Sequence, residues 1–402
     1  MQVDQNQLTK EVVKDITPDG SAAWAASHLK GTRVIVSGTI LGLGGIRTHL
    51  VLLCQLLRRQ GVEVVVFATG ANWDPKVLAG LEALDVRFHL PPAGLRRFRK
   101  LSALYSRLTW PWLTPRRANS LYCIGAGHSH FLMHRLRPKD TVSINHEIVV
   151  PPAPDSMAGL CAERLDVSVA NSRKVAERMR EYWPRKPIRI IPFLTSDQPL
   201  PAPVRQRVGE TGRLRVVYLG RLVTHKRPDQ LVRRWQTLMS HPVMAAAQLD
   251  VYGFDPEGTM LKELRAFVIE NNISESVAIH GEYELNALPQ ILANSDLVVL
   301  PSLDEGLPLV LVEAMAHGVP FVATAAGGTE ELGQDNPDVI VTDTKWEDFE
   351  SGLLAMAGKI HAGEIDSQRL HQWVEARYGY AAVSRQWLAC LLNPRQFFDL
   401  HD

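Results

Sequence analysis

Five short apolar runs in the second half of the chain constrain its fold most. They are Leu214 to Leu219, Leu249 to Tyr252, Val277 to Ile279, Leu297 to Leu300 and Val319 to Ala323. They read as buried apolar runs, with Arg215 and Asp250 the two charges within them. Strands that are apolar on both faces are covered on both sides, and parallel βαβ units provide that cover. Helical spacing follows the first four, at Pro228 to Leu238, about Thr259 to Asn271, around Asn286 to Ala293, and Pro308 to Ala316. Right-handed crossovers then bring the strands' carboxyl ends to one edge. In open α/β sheets ligands bind along that edge.

The first half repeats the pattern. Val34-Ile35-Val36 ends in the glycine-rich segment Gly38 to Gly45. Ile46, Leu50, Leu53, Leu56 and Leu57 then mark one face of a helix that Gly61 stops, and Val62 to Ala68 is a second β-branched run. Further strands are predicted at Val86 to Leu90, Leu121 to Gly125, Val142 to Asn145, Val167 to Ala170 and Ile188 to Ile191. Asn171-Ser172 caps a helix over Arg173 to Tyr182. Four prolines between Pro192 and Gly212 mark a linker. The 402 residues therefore divide into a loosely held extension over 1–30, an α/β domain over 31–195, a linker over 196–212 and a second α/β domain over 213–377.

The residues able to do chemistry fall on the edge loops. Gly220-Arg221 and His225-Lys226-Arg227 follow the first strand of the second domain, and Gly253 follows the next. Ser302, Asp304, Glu305 and Gly306 precede a helix, and Thr324 to Gly328 end the fifth strand. A helix start, close-approach glycines and two cations, Arg221 and Lys226, make an anion site. Glu305 and Glu313 stand on the order of 10 Å apart on helical geometry. Carboxylates accept sugar hydroxyls, and this pair is wider than the roughly 5 Å of a retaining glycosidase.

The run PSLDEGLPLVLVEAMAHGVPFVATAAGGTEEL resembles the signature of the retaining glycosyltransferases of family 4, the EX7E group. Glu305 and Glu313 match its two acids. GRLVTHKRPDQLV is similar to the family's second motif, with Arg221 and Lys226 at its diphosphate-holding positions. Gly44-Gly45 resembles its N-domain glycine loop, and His146, in SINHEIV, falls where a histidine lies near the donor sugar. Tyr378 to Leu392 resembles the final helix that crosses back to the first domain, so about 378–402 join it. The resemblance implies the GT-B architecture, two Rossmann-like α/β domains facing across a cleft.

The resemblance also implies roles. The donor is a nucleotide-diphosphate sugar, and the acceptor is a glycan or lipid-linked glycan of bacterial surface polysaccharide synthesis. Arg221 and Lys226 stabilise the leaving diphosphate, Glu305 holds the donor sugar and Glu313 the ribose. Gly220, Gly253, Gly306 and Leu307 line the donor site. Pro308, three residues after Glu305, has no N–H to give, so phosphate leans on Gly306, Leu307 and later amides. With two cations in place and no DxD motif at a strand end, no metal and no cofactor are expected. Two rivals share the donor site: a sugar-nucleotide hydrolase or epimerase, and a non-catalytic nucleotide-sugar binder. A nicotinamide enzyme is disfavoured because the second strand ends Phe67-Ala68-Thr69-Gly70 without an acid.

Charge is uneven although the net is +1: residues 86 to 139 contain no Asp or Glu and eleven Arg and Lys. Within residues 95–117, Phe98, Tyr105, Trp110 and Trp112 interleave with the cations. That mixture suits a membrane surface bearing anionic lipid, or an anionic or lipid-linked acceptor, and no recognition motif for nucleic acid accompanies it. Four scattered cysteines, Cys54, Cys123, Cys161 and Cys390, fit reduced thiols. A cytoplasmic protein at the inner face of the membrane is the expectation. His49, His128, His130 and His225 show no pattern that marks them.

Overall fold

The computed structural model describes residues 32–38, 45–68, 75–96, 98–113, 115–125, 128–148, 151–195 and 213–400. The expected extension over 1–30, the linker over 196–212 and Gly44 lie outside the described residues. The chain forms two compact units, Met1–Gln198 with Tyr380–Asp402, and Pro199–Gly379.

The first unit is a parallel sheet of seven strands: β1 (Arg33–Gly38), β2 (Glu63–Ala68), β3 (Arg87–His89), β4 (Ser120–Ile124), β5 (Val142–Glu147), β6 (Val167–Ala170) and β7 (Ile188–Ile190). Their order is β3-β2-β1-β4-β5-β6-β7. Helices α1 (Gly45–Arg59), α2 (Arg99–Leu113), α3 (His128–Arg135), α4 (Met157–Arg164) and α5 (Arg173–Tyr182) connect them. Side chains of successive strand residues leave opposite faces. Val34, Val36, Val64 and Val66 therefore pack with α1 and with Trp387 and Leu391 of the C-terminal helix Tyr380–Leu392. Ile35, Val65 and Phe67 pack on the other face with Trp110 and Met133. Ser172 caps α5 through the Val175 amide, as its sequence predicts.

The second unit is a parallel sheet of six: β8 (Arg215–Leu219), β9 (Gln248–Tyr252), β10 (Val277–Gly281), β11 (Leu297–Leu300), β12 (Phe321–Thr324) and β13 (Ile340–Thr342), in the order β10-β9-β8-β11-β12-β13. Its helices include α6 (Pro228–Arg233), α7 (Leu309–Ala316), α8 (Trp346–His361) and α9 (Ser367–Tyr378). In each sheet the strand order reverses once, between β1 and β4 and between β8 and β11, and such reversals open the crevices that bind ligands.

Several boundaries differ from expectation. The helix predicted over Pro228 to Leu238 breaks at Arg234 into Pro228–Arg233 and Trp235–Met239. The strand expected over Val86 to Leu90 shortens to β3, and the one expected over Val319 to Ala323 begins at Phe321 because Pro320 has no ladder donor. The expected final helix from Tyr378 is two helices. Tyr378 ends α9 in the second unit and Tyr380 opens the C-terminal helix of the first, with Gly379 between them. β13 and α8 carry no expectation at all.

Candidate donor-binding site

The loops at the reversal between β8 and β11 are laced together by their backbones. Gly220 follows β8, and its amide donates to Tyr252 O at 3.1 Å. A Cβ on Gly253 would stand 1.8 Å from Gly220 O, so two strand ends meet where a side chain has no room. Thr224–Lys226 is a 3-10 turn that Arg227 ends in the left-handed region at φ 53. The Leu303 amide donates to His225 O at 2.7 Å, tying this turn to the loop after β11. Arg227 Nε donates to Pro301 O from the same side, and its guanidinium lies 6.0 Å from the Trp346 ring centroid. The third loop joins through Gly328, whose amide donates to Gly306 O at 2.6 Å, and through Thr324 Oγ1, which donates to Ser302 O. Gly327 has φ +54, and a Cβ there would lie 1.7 Å from Glu305 O.

This lacing brings two predicted site residues into direct contact. Lys226 Nζ and Glu305 Oε1 form an ion pair, and Ser302 Oγ donates to the same carboxylate oxygen at 2.7 Å. Their side chains are only 12% and 9% exposed. Tyr218 lies beneath, fully buried, with its hydroxyl donating to Arg221 O at 2.9 Å. Burial and the Glu305 charge push that phenol well above its ordinary range. Arg221 itself is exposed. Gly306, Leu307 and Pro308 are buried and lead into α7, whose N-cap is Pro308 with no side-chain cap. The first amides of α7 are therefore open to an anion. The Leu307 side chain belongs to the core, so only its backbone is available to a ligand.

Glu313 lies one turn further along α7, where burial pushes its carboxyl up to about 8. Burial, and after it the neighbouring Glu313, raises the phenol of Tyr283, whose ring meets Tyr252 edge-on at 6.0 Å, and Tyr252 stacks on His280 at 4.2 Å. Tyr218 and Tyr283 escape sequence reading because the groups that perturb them, Glu305 and Glu313, lie far off in sequence.

Gly45 and His146 lie in the first unit. Gly45 opens α1. His146, near the end of β5, is fully buried among His49, Tyr122, Phe193 and Trp387, and so is not an exposed site side chain in this structure. His49 is its buried neighbour, although no sequence pattern marks it.

Residues 43–193 match the family model described as Glycosyltransferase Family 4, and residues 204–357 match Glycosyl transferases group 1. The chain carries the two domains of a GT-B glycosyltransferase. Over 193 residues it is 24% identical to D-inositol 3-phosphate glycosyltransferase of Xylanimonas cellulosilytica, a stretch that covers 46% of this chain and 45% of that protein. The chain thus spans about half the length of this curated relative. Among solved structures it is similar to sucrose-phosphate synthase from Thermosynechococcus elongatus, with TM-score 0.70 and 17% identity over 92% of this chain and 100% of that one. It is also similar to Anabaena HepE in complex with UDP-glucose, with TM-score 0.69 and 18% identity over 89% and 99%. At these identities the likeness shows the fold.

Proposed function

We propose that this glycosyltransferase moves a hexosyl group, with retention and without a metal, from a nucleoside-diphosphate donor to a glycan or lipid-linked glycan of bacterial surface polysaccharide. The observation that carries the reading is the Lys226–Glu305 pair beside the Gly306 start of α7 at the sheet's reversal. The diphosphate takes Lys226, Arg221 and the open amides. Glu305, released from Lys226, turns to the sugar hydroxyls, and Glu313 holds the ribose. The bond from the sugar's anomeric carbon to the diphosphate breaks as the acceptor oxygen bonds on the same face. The acceptor's proton passes to the departing phosphate oxygen. Cationic groups already in place at the leaving group are worth most in the transition state.

Lys226→Ala is expected to lower turnover by about a hundredfold or more. Wild-type turnover in that variant would remove the assigned role. Rapid consumption of nucleotide sugar without an acceptor would favour the hydrolase or epimerase instead.

The acceptor side is read as an anionic membrane surface. Nine of the twelve exposed large hydrophobics among the described residues lie between Phe98 and Leu160. On α2 they form a stripe, Leu101, Leu104, Leu108 at 65% and Trp112 at 87% exposed, with Lys100, Arg116 and Arg117 exposed nearby. Trp110 does not join them. It is 1% exposed and packs edge-on against Phe67 at 4.5 Å, so the expected aromatic set loses one member. Among the described residues no helix is long and apolar enough to cross a membrane, and the stripe suits contact in the interfacial plane.

A further inference from the structure

We infer that Arg227 is a positioning residue for Lys226: its backbone and its guanidinium together hold the Lys226 turn against the loop that carries Glu305. The inference rests on the glycosyltransferase reading of those two side chains. Arg227 joins the Thr224–Lys226 turn to α6, with φ 53 and ψ 37. A residue that carries a Cβ rarely adopts that left-handed conformation. Pro228 follows, and a residue before proline favours extended backbone. Both preferences are violated at one position.

The side chain adds a second cost. Arg227 is 6% exposed. Its Nε donates to Pro301 O, but Nη2 is buried and makes no hydrogen bond among the described residues. A buried donor without an acceptor is unfavourable, more so on a charged group. Glycine at 227 would remove the backbone strain and the unpaired N–H together. Strain of this kind persists only where the surroundings over-determine it, and it gathers at functional sites.

The surroundings do over-determine it. The Arg227 amide donates to Thr224 O at 3.1 Å and closes the turn, while its carbonyl accepts from the Leu231 amide at 3.2 Å and starts α6. Its guanidinium lies 6.0 Å from the ring centroid of Trp346, the first residue of α8. That indole is itself fixed, with Nε1 donating to Glu350 Oε2 at 3.0 Å. Pro301, whose carbonyl accepts from Arg227 Nε, directly follows β11 and leads into Ser302 and Glu305. Across the same gap the Leu303 amide donates to His225 O at 2.7 Å. Two bonds thus tie the turn to the loop, one from residue 225 and one from residue 227. Lys226 lies between them, with Nζ on Glu305. Lysine is a point charge on a flexible stem, so the reach of its amine depends on where its backbone is held. The competing account is that Arg227 only stabilises the second unit and has no particular bearing on Lys226.

The test is a double-mutant cycle on the full chain, with Arg227→Gly, Lys226→Ala and the two combined. The readout is binding of a nucleoside diphosphate by isothermal calorimetry, using whichever of UDP, GDP and ADP the wild type holds most tightly. Lys226→Ala should weaken binding about tenfold or more, the worth of a charge-assisted hydrogen bond. Arg227→Gly should weaken it about fivefold when Lys226 is present and by less than about 1.5-fold when it is absent. The melting temperature of Arg227→Gly without nucleotide should stay close to the wild type's, because relief of strain offsets the lost bond to Pro301. Equal weakening in both backgrounds overturns the inference, since Arg227 would then act through the fold at large. So does wild-type affinity in Arg227→Gly. In either case an intact effect of Lys226→Ala leaves the donor reading standing. No effect of Lys226→Ala, or no binding of any of the three nucleotides, counts against the donor reading itself. Should Arg227→Gly fail to fold, the same cycle is run with Arg227→Lys. That variant keeps the charge but loses the planar fork at Pro301 O, and its loss of affinity should again depend on Lys226.

Discussion

Glu313→Gln offers a sharp test of the site because its effect changes with pH in a direction the structure dictates. The carboxyl is raised from 4.5 to about 8 by burial. Below pH 4.5 the group is protonated in both folded and unfolded chains, and its contribution to stability is fully present. Between 4.5 and 8 the unfolded carboxyl ionises while the folded one stays protonated, so stability falls as pH rises through that window. Above 8 both are ionised and the loss is complete. A displacement of this size corresponds to about 5 kcal/mol. Glu313 keeps some contact with solvent, so roughly half, about 2–3 kcal/mol, is expected after screening. Gln has the same shape and no charge at any pH. The variant should melt with the wild type at pH 4.5 and about 5–10 °C above it at pH 8.5, for a unit of this size. Calorimetry across that range, following the transition of the second unit, measures the difference. Parallel pH profiles would refute the argument, because the gap between the two proteins has to open with pH.

Gly327→Ala forces a Cβ to within 1.7 Å of Glu305 O at φ +54 and should destabilise the second unit by about 3 kcal/mol or more. Gly258→Ala, at φ +72 with nothing within 4 Å, carries backbone strain alone and should lose only about 1 kcal/mol by urea titration. Equal losses would mean that the loop after β12 is not seated as described. Glu305→Gln removes the partner of Lys226, so UDP should bind more tightly while turnover of a UDP-sugar falls. Weaker UDP binding by isothermal calorimetry would show that the pair is not a competitor for phosphate. Leu108→Ser with Trp112→Ser should reduce sedimentation with vesicles rich in phosphatidylglycerol by about tenfold, at unchanged melting temperature. Unchanged sedimentation, or equal binding to neutral vesicles, would defeat the membrane reading.

The parts of the fold legible in the sequence are those whose signal is local. A buried strand is a run of apolar residues, and β8, β11 and β12 announce themselves that way; β9 instead alternates buried and partly exposed residues, with Asp250 on its open side. β13 does not, since Ile340–Thr342 is only three residues long and each is partly exposed. Its partner α8 is hidden for a related reason. Gly352 weakens the helical pattern, yet the space it leaves admits Thr342 and Ile340, for a Cβ there would meet Thr342 Cγ2 at 2.5 Å. That glycine makes sense only once the strand beside it is known. The site divides along the same line. Glu305, Gly306, Glu313 and Gly327 stand close in sequence and can be read from spacing. Lys226 and Glu305 are 79 residues apart, and no spacing could reveal that they pair with each other. Their contact alters the meaning of both. Lys226 is not an idle cation, and on the proposed reading a diphosphate would have to outcompete a carboxylate for it. On the same reading a displaced Glu305 carboxylate would be left with unsatisfied acceptors, and sugar hydroxyls that relieve it would help decide which donor is retained.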